Sequence, residues 1–358
     1  MEHRFGASPP LTIGVEEELL LVDEELRLSP VAERILGRLG DGRVSTEIFA
    51  GQIETKTGIC RDVGEALGEL AELRRLVAGS TGLLASGLHP ADESDRPQLV
   101  SKPRYAPVAK DLGGILKTPP CGLHVHIGMP DPETAIRVAN ALRRHLPLLQ
   151  ALSANSPYWE GVDCGHASGR TVTVSRYPRF EMPRSFRDYE EFLHVADQLV
   201  AAAGVDDYTY VWWDVRPHPN LGTVEVRAVD VQTGVATSAA LAGLIQAIAA
   251  KEIADPGKGG IVREALEESY FQAARYGLEA RLMVEGETAL PAPEVARRTL
   301  EQVRPYALEL GGAGSLEEIE RILREGNGAE AQRRAFEGGG MEGLLSSLAA
   351  ATVPPPSV

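Results

Sequence analysis

An apolar segment near the N-terminus carries three consecutive glutamates, and this feature constrains the fold more than any other. Residues 11–23 read Leu-Thr-Ile-Gly-Val-Glu-Glu-Glu-Leu-Leu-Leu-Val-Asp, a pattern that predicts a β-strand. Side chains two positions apart on a strand share a face, so Glu16 and Glu18 point one way and Glu17 the other. Two carboxylates on one face repel each other unless a cation or a shared proton neutralises them. The segment therefore predicts either a cation-binding face or an exposed edge strand.

A second strand pattern carries two histidines. Residues 122–128 read Gly-Leu-His-Val-His-Ile-Gly, which predicts a strand with His124 and His126 on the same face. Such a pair can bind a metal ion, zinc included, although isolated pairs are more often ordinary core or surface histidines. The neighbouring Cys121 is predicted to be a buried packing residue and not a ligand.

Further acidic candidates lie on other predicted strands. Residues 222–230 place Glu225 and Arg227 on one strand face. A carboxylate beside a guanidinium is usually a plain ion pair, but a metal–phosphate site needs the same two groups. Glu47 and Glu54 lie seven residues apart and alone indicate little, because most glutamates are exposed to solvent.

Arginines are concentrated in a segment rich in Gly, Ser and Pro. Residues 155–179 predict a long irregular loop that contains Arg170, Arg176 and Arg179, and Arg216 follows in an Asp-Val-Arg-Pro sequence. A basic loop suits phosphate or carboxylate binding, or it is solvated surface. The sequence has neither a P-loop pattern nor a serine nucleophile elbow.

Composition excludes several classes of protein. The 358 residues include 36 Lys and Arg against 51 Asp and Glu, a net charge of −15 that argues against non-specific nucleic-acid binding. A small anionic substrate can still bind where the local charge is positive or metal ions are bound. Three scattered cysteines indicate a reducing compartment. No signal peptide is evident, and the most apolar stretch, residues 235–250, is too short and polar to span a membrane. We expect a cytoplasmic protein without membrane contact.

The predicted elements favour an α+β fold. Helices are predicted over residues 31–39, 63–84, 132–153 and 185–203, and almost continuously from 233 to 350; strands are predicted over 11–23, 45–56, 85–88, 122–128, 208–214 and 222–230. Strands and helices are segregated along the chain and do not alternate. Because the candidate residues extend from 14 to 230, we predict one catalytic domain, residues 11–350, with a helical part at 236–350. Residues 1–10 and 351–358 are predicted to be tails, the second of them frayed.

Six motifs in order resemble a known family. They are Thr12-Ile-Gly-Val-Glu-Glu-Glu-Leu; Glu47-Ile-Phe-Ala-Gly-Gln-Ile-Glu54; Cys60-Arg-Asp; Gly122-Leu-His-Val-His-Ile-Gly128; Leu152-Ser-Ala-Asn-Ser-Pro-Tyr158 with Ala167-Ser-Gly-Arg170; and Trp213-Asp-Val-Arg-Pro-His-Pro followed by Gly222-Thr-Val-Glu-Val-Arg227. The sequence thus resembles the YbdK-type carboxylate–amine ligases, the second glutamate–cysteine ligase family. This resemblance implies a glutamine-synthetase-like fold, in which a curved, mainly antiparallel sheet is flanked by helices and the active site lies on its concave face.

The resemblance also implies roles for individual residues. The implied magnesium ligands are Glu16, Glu18, Glu47, Glu54, His124 and Glu225. Arg227 would hold the transferring phosphate, Arg170 and Arg216 would hold phosphate or the acceptor carboxylate, and His126 and His89 would line the nucleotide pocket. Glu17 occupies a position where the family commonly has an apolar residue, and because it points off the metal face we expect it not to matter.

The implied reaction uses ATP and two or three Mg²⁺ ions to convert a carboxylate into an acyl phosphate, which an amine then attacks. The implied substrates are L-glutamate or a similar acid and an amino-acid amine such as L-cysteine, and Tyr208, Trp212 and Trp213 could supply a core or a homo-oligomer interface. Two alternatives stay open. One is a zinc hydrolase that uses His124, His126 and a carboxylate, and the other is a ligase fold that only senses amino acids or nucleotide.

Overall fold

Antiparallel strands form the centre of the protein in a computed structural model that describes residues 2–92, 97–257, 259–286 and 288–355. The main sheet contains β1 (Ile13–Val22), β2 (Val44–Thr46), β3 (Gln52–Lys56), β4 (Gly82–Leu84), β5 (Gly122–Gly128), β8 (Val215–His218) and β9 (Thr223–Asp230). Its strand order is β2-β3-β1-β5-β9-β8, and β4 pairs with the C-terminal end of β1. Two small hairpins lie apart from it: β6 (Tyr158–Trp159) with β7 (Val162–Asp163), and β10 (Arg281–Leu282) with β11 (Leu290–Pro291).

Helices account for most of the remaining chain. They are α1 (Ala32–Leu39), α2 (Val63–Ala78), α3 (Tyr105–Leu112), α4 (Pro132–Ser153), α5 (Gly169–Val174), α6 (Tyr189–Ala203), α7 (Val235–Ala254), α8 (Arg263–Tyr276), α9 (Ala292–Glu309), α10 (Ala313–Glu325) and α11 (Gly328–Thr352). Side chains cap several of them: Asp62 accepts a hydrogen bond from Glu65 N at the start of α2, and Asp131 accepts one from Thr134 N at the start of α4.

The alternation of the central strands separates an apolar face from a charged one. Val15, Val125 and Val226 lie on neighbouring strands in register and pack with α4 and α7 in one large buried cluster. This face, which we call the helical face, carries the core. The side chains between them, Glu16 and His124 among others, point to the opposite face.

The α+β class is confirmed, but several predicted elements are wrong in detail. Helix α2 ends at Ala78 and not at residue 84, because Gly79-Ser80-Thr81 breaks it, and the following strand is Gly82–Leu84 instead of residues 85–88. Residues 208–214 begin with a short 3₁₀ turn, and the strand that follows is Val215–His218. That strand contains Pro217, which an edge strand such as β8 tolerates.

Other differences arise from local hydrogen bonding. The predicted irregular loop 155–179 contains helix α5, whose first turn is capped by Ser168. Helix α6 begins at Tyr189 and not at residue 185, because Asp188 caps it by accepting a hydrogen bond from Glu191 N. Helix α3 was not predicted from the sequence at all. Of the predicted loop at residues 91–102, positions 93–96 lie outside the described residues.

The segments predicted as tails make defined contacts. Near the N-terminus, Arg4 N donates to Pro219 O and Gly6 N donates to Met129 O. Near the C-terminus, helix α11 runs to Thr352, whose carbonyl accepts from Arg74 and whose hydroxyl accepts from Ala85 N. The predicted frayed tail therefore begins inside an anchored helix, and its last part, residues 356–358, lies outside the described residues. None of the helices within the described ranges has the length and apolar character that crossing a membrane requires.

Candidate active site

A cavity of about 420 Å³ lies over the charged face of the sheet. Strand register brings its polar side chains together: Glu16 pairs with His124, Glu18 with Glu54, and His126 with Glu225. Directly opposed residues on neighbouring strands have Cβ atoms roughly 5 Å apart, so these side chains meet although they are far apart in sequence.

Three groups of potential metal ligands lie on this face. They are Glu16, His126 and Glu225; Glu16, Glu54 and His124; and Glu18, Glu47 and Glu54. Within each group one ligand atom per residue lies within 4.8 Å of the others. All six residues predicted as metal ligands are thus brought together, and His126 joins them.

The electrostatics of these groups fit bound cations. Burial, together with repulsion from Glu54 and Glu18, raises the pKa of Glu47 well above its ordinary value. Burial alone would raise the pKa of Glu16 as well, but the neighbouring imidazoles of His124 and His126 hold it well below its usual range. The Nε2 atoms of both histidines are buried and have no hydrogen-bond partner among the described residues. Cations would relieve the repulsion between the carboxylates, and they would bind the buried ring nitrogens that otherwise lack a partner.

Glu225 lies between two guanidinium groups. Arg216 Nε donates to Glu225 Oε2 at 2.7 Å, and Arg227 Nη1 donates to Oε1 at 2.5 Å. Burial opposes ionisation, but Arg216 and Arg227 hold the pKa of Glu225 well below its ordinary value. Arg216 also donates to the backbone carbonyl of Val211, so it positions Glu225, while its predicted contact with substrate stays a prediction.

Arg170 reaches the same face from helix α5 because Gly122 has no side chain. A Cβ at Gly122 would clash with the Arg170 guanidinium and would lie 3.1 Å from His124 Nε2. Gly122 N also donates to Glu18 Oε2 at 2.7 Å. This glycine therefore permits an arginine, a histidine and a glutamate to converge at one point.

A buried carboxylate that sequence reasoning missed supports Arg170 from behind. Asp230 accepts hydrogen bonds from Ser156 Oγ at 2.7 Å, Ser168 Oγ at 2.9 Å and Asn155 N at 2.9 Å. Its Oδ1 lies 3.9 Å from Arg170 Nη1. The residues that donate to Asp230 lie in the Leu152–Tyr158 and Ala167–Arg170 motifs, so these motifs could have pointed to a buried acceptor. Nothing in their local sequence, however, indicates that the acceptor is at position 230.

His89 and Cys121, two residues singled out in the sequence, both contact neighbouring parts of the protein. His89 lies outside the cavity wall: its Nε2 is 2.9 Å from Leu26 O, and its Nδ1 accepts from Ala91 N. Both ring nitrogens of His89 thus contact the backbone of nearby loops, and the structure does not bring His89 together with the other predicted site residues. Cys121 is fully buried against the amide of Gln52, which confirms its prediction as a packing residue.

Glu17 takes no part in the three ligand groups, but the expectation that it would not matter is wrong for the fold. It points to the helical face, where Arg74 of helix α2 donates to it from Nε at 2.8 Å and from Nη2 at 2.5 Å. Ser238 of helix α7 adds a third hydrogen bond at 2.6 Å. Both members of the ion pair have 0% exposed side chains, so neither charge can lose its partner without a large penalty.

The wall facing the carboxylates is aromatic and apolar, and the sequence did not reveal it. Its residues include Phe49, Tyr105, Val108, Leu112, Leu116, Tyr177, Tyr210 and Trp212. Arg104 stacks over the ring of Tyr210 at 4.7 Å. Of the loop arginines, Arg170 lines the cavity, whereas Arg176 and Arg179 stack over Trp159 and Trp212.

The geometry bears on the zinc alternative. His124 and His126 share a face, as predicted, but among the described residues no group of potential ligands contains both of them. Instead, His126 forms a group with Glu16 and Glu225, and His124 forms one with Glu16 and Glu54. An oxygen-rich donor set of this kind is typical of magnesium sites and not of zinc sites.

The sequence matches a family of ligases along almost its whole length. The model of glutamate–cysteine ligase family 2 matches residues 12–350. A Rubrobacter xylanophilus protein named "Putative glutamate--cysteine ligase 2-3" is 40% identical over 369 residues, which cover 98% of this chain and 100% of the relative. A Sorangium cellulosum protein named "Putative glutamate--cysteine ligase 2" is 36% identical over 342 residues, which cover 91% of this chain and 91% of the relative.

Two solved structures have a similar fold. The glutamate–cysteine ligase of Francisella tularensis, solved in complex with AMP, has a TM-score of 0.72 at 12% identity, with 96% of this chain and 89% of that chain covered. A bifunctional glutathione synthetase from Pasteurella multocida has a TM-score of 0.67 at 14% identity, with 96% and 52% covered. At these identities the likeness is one of fold. The sequence matches carry the family assignment: this chain belongs to glutamate–cysteine ligase family 2.

Proposed function

We propose that this protein is an ATP- and Mg²⁺-dependent, ADP-forming carboxylate–amine ligase that joins glutamate, or a similar acid, to an amino-acid amine such as cysteine. The observation that carries the proposal is the convergence of three carboxylate-rich groups with two arginines in one cavity. Membership of the family and the names of the relatives agree with it.

The chemistry requires an activated acid. A carboxylate oxygen is a poor leaving group at neutral pH, so an amine cannot displace it directly. Transfer of the γ-phosphoryl group of ATP to the carboxylate gives an acyl phosphate, from which the amine expels inorganic phosphate. The demands on the protein are the positioning of reactants and the neutralisation of charge on phosphoryl oxygens.

The three ligand groups would hold the metal ions. Their donors are mainly carboxylate oxygens, which Mg²⁺ prefers, and each group has three protein ligands, leaving positions open for substrate oxygens. When bound, Mg²⁺ neutralises negative charge on phosphate oxygens and acts as a Lewis acid.

Arg170 and Arg227 would bind anionic oxygens during the reaction. The Nε atom of each is buried and lacks a hydrogen-bond acceptor in the described part of the chain. Each guanidinium is already oriented, Arg227 by Glu225 and Arg170 by Gly122 and Asp230. Donors that are fixed before the substrate binds stabilise developing charge without a reorganisation cost.

The aromatic wall would exclude water from the reacting groups. Phe49, Val108, Leu112 and Leu116 belong to a buried apolar cluster and line the same cavity as the carboxylates. Exclusion of water protects an acyl phosphate from hydrolysis and strengthens the electrostatic interactions inside the cavity.

A phosphate-release screen tests the proposal. The purified protein is incubated with ATP, Mg²⁺, L-glutamate and a panel of amino-acid amines, and we expect phosphate release that requires both acid and amine and stops when EDTA is added. Phosphate release that is independent of the metal would contradict the metal assignment. Stoichiometric, tightly held zinc would favour the hydrolase, and ligand binding without phosphate release for every acid–amine pair would favour a sensor.

A further inference from the structure

Three tyrosines line the cavity, and their hydroxyl groups are used differently. Tyr105 Oη donates to Thr46 O at 2.8 Å, and Tyr210 Oη donates to Arg104 O at 3.3 Å. Tyr177 Oη is buried as well, but it has no hydrogen-bond partner among the residues that the structure describes. The hydroxyls of Tyr105 and Tyr210 therefore form hydrogen bonds within the protein, whereas the hydroxyl of Tyr177 forms none with the described residues.

The position of Tyr177 is fixed by its surroundings and not by its hydroxyl. It follows helix α5 directly, and its backbone N–H donates to Val174 O at 2.9 Å. Its ring packs against the apolar cluster that contains Phe49 and Leu116. The ring is therefore held in place, and Tyr177 is one of the residues that line the cavity.

The charges that act on the Tyr177 hydroxyl belong to the two sides of the candidate active site. Burial raises the pKa of Tyr177, nearby Glu18 raises it further, and Arg170 and Arg176 oppose the rise. The hydroxyl thus lies within electrostatic reach of one proposed metal ligand and one proposed phosphate-binding arginine, and at neutral pH it is a neutral donor.

Two further donors in the lining of the same cavity are unused. Arg170 Nε and Arg227 Nε are buried without an acceptor in the described chain, like Tyr177 Oη. A buried polar group without a partner typically destabilises the folded protein, and unpaired groups of this kind are expected mainly at functional sites. Three unused donors in one cavity indicate a ligand that accepts hydrogen bonds and carries negative charge.

We propose that Tyr177 is a substrate-binding residue whose hydroxyl donates a hydrogen bond to an anionic oxygen of a bound substrate, either the carboxylate of the acid or a phosphoryl group of the nucleotide. This proposal rests on the proposed ligase function and adds a residue to it. Among the described residues the hydroxyl of Tyr177 has no acceptor, and the substrate oxygen supplies one.

The test is Tyr177→Phe, with Tyr105→Phe as the matched control. Binding is measured by calorimetry, separately for the Mg²⁺ complex of a non-hydrolysable ATP analogue and for L-glutamate, and the melting temperature of each ligand-free variant is recorded. For Tyr177→Phe we expect a melting temperature that is unchanged or higher, because an unpaired hydroxyl is removed. Tyr105→Phe should instead melt at a lower temperature, because Thr46 O loses its donor.

The affinity measurements identify the ligand. We expect Tyr177→Phe to lower the affinity for one of the two ligands by roughly 10-fold to 100-fold, which is the range for loss of a hydrogen bond to a charged group. Weaker binding of glutamate alone assigns the hydroxyl to the acid, and weaker binding of the analogue alone assigns it to the phosphoryl group. In turnover, KM for the same substrate should rise in parallel.

The proposal and the ligase function fail in different ways. If the wild-type protein binds both ligands and Tyr177→Phe binds them equally well, the Tyr177 proposal is overturned and the ligase function is not. A drop in the melting temperature of Tyr177→Phe comparable to that of Tyr105→Phe would also overturn it, because it would assign the hydroxyl to the fold. If the wild-type protein binds neither ligand, the ligase function fails and the role of Tyr177 fails with it.

Discussion

The two faces of strand β1 place neighbouring glutamates in opposite circumstances. On the helical face, Glu17 receives hydrogen bonds from Arg74 and Ser238 and is fully buried. On the cavity face, Glu16 and Glu18 lie among other carboxylates in groups that strands β1, β3, β5 and β9 assemble together with Glu47. Glu17 has its charge partner, Arg74, within the protein, whereas repulsion from Glu54 and Glu18 together with burial raises the pKa of Glu47 on the cavity side. This difference separates charges that hold the fold from charges that await a ligand.

The arginines of the two faces differ in the same way, in whether their donors have acceptors within the protein. Arg74 donates to Glu17 and to the backbone carbonyls of Gln232 and Thr352. Arg170 and Arg227 each keep a buried Nε without an acceptor in the described residues. Residue type alone therefore does not identify a functional arginine, but the state of its donors does.

The largest effect is expected on the cavity face, from Glu54→Gln. Glu54 belongs to two of the three ligand groups, so its loss should lower Mg²⁺-dependent phosphate release roughly 10³-fold, since a catalytic metal contributes several kcal/mol. The melting temperature should change little, because the substitution also removes repulsion with Glu47. Phosphate release and thermal denaturation measure the two effects.

The exposed Glu24→Gln is the matched control for Glu54→Gln and should behave like the wild type. Near wild-type turnover by Glu54→Gln would remove the distinction between the two faces.

The next effect is expected on the helical face, from Arg74→Met. It leaves Glu17 as an unpaired buried carboxylate and should cost about 3–5 kcal/mol of unfolding free energy, which urea denaturation measures. The double variant Glu17→Leu/Arg74→Met removes both charges and should recover part of that loss, since the carbonyls of Gln232 and Thr352 still lack their donor. A single variant as stable as the wild type, or a double variant less stable than the single one, would show that the pair does not stabilise the fold as described.

Gly122→Ala should separate the positioning of Arg170 from the stability of the strand. The new methyl group would clash with the guanidinium, and a displacement of about 1 Å in a catalytic group can cost roughly 10²-fold in rate. Gly37→Ala is the control, since a Cβ at Gly37 meets nothing within 4 Å. Equal phosphate-release rates for the two variants would mean that Arg170 does not depend on Gly122.

The smallest effect concerns pH. Burial, with help from Arg216 and His126, lowers the pKa of His218 to about 4 in the folded protein, against about 6.5 in an unfolded chain. Between these values the unfolded chain binds the proton more tightly, so the stability contributed by neutral His218 is lost as the pH falls from 6.5 to 4.

His218→Gln should reduce this acid-induced loss, by no more than a few kcal/mol, in urea titrations at pH 7 and pH 5. An identical difference between the two pH values in variant and wild type would exclude His218 as its source.

The cavity face was accessible from the sequence because it depends on a local rule. The period of two residues along a strand predicts that Glu16 and Glu18 share one face of their strand. It predicts the same for His124 and His126 on theirs. Antiparallel pairing of these strands then brings the side chains together. The resemblance to a family supplied Glu47 and Glu54, for which the spacing alone indicated little.

What could not be predicted depends on contacts between distant segments. Nothing near position 17 indicates Arg74, and nothing near Arg170 indicates that Gly122 leaves room for its guanidinium. The unused hydroxyl of Tyr177 is defined by the absence of a partner in the described fold, which a sequence pattern does not contain. The hydrogen bonds that His89 forms with Leu26 and Ala91 could likewise not be predicted from the sequence.

The most direct test of the central claim is anomalous diffraction from crystals grown with Mn²⁺ and a non-hydrolysable ATP analogue. The ligase proposal predicts two or three manganese peaks on the cavity face, each bound by one of the three carboxylate-rich groups, and one of them contacting Glu54. Peaks elsewhere, or none on this face at saturating Mn²⁺, would contradict it.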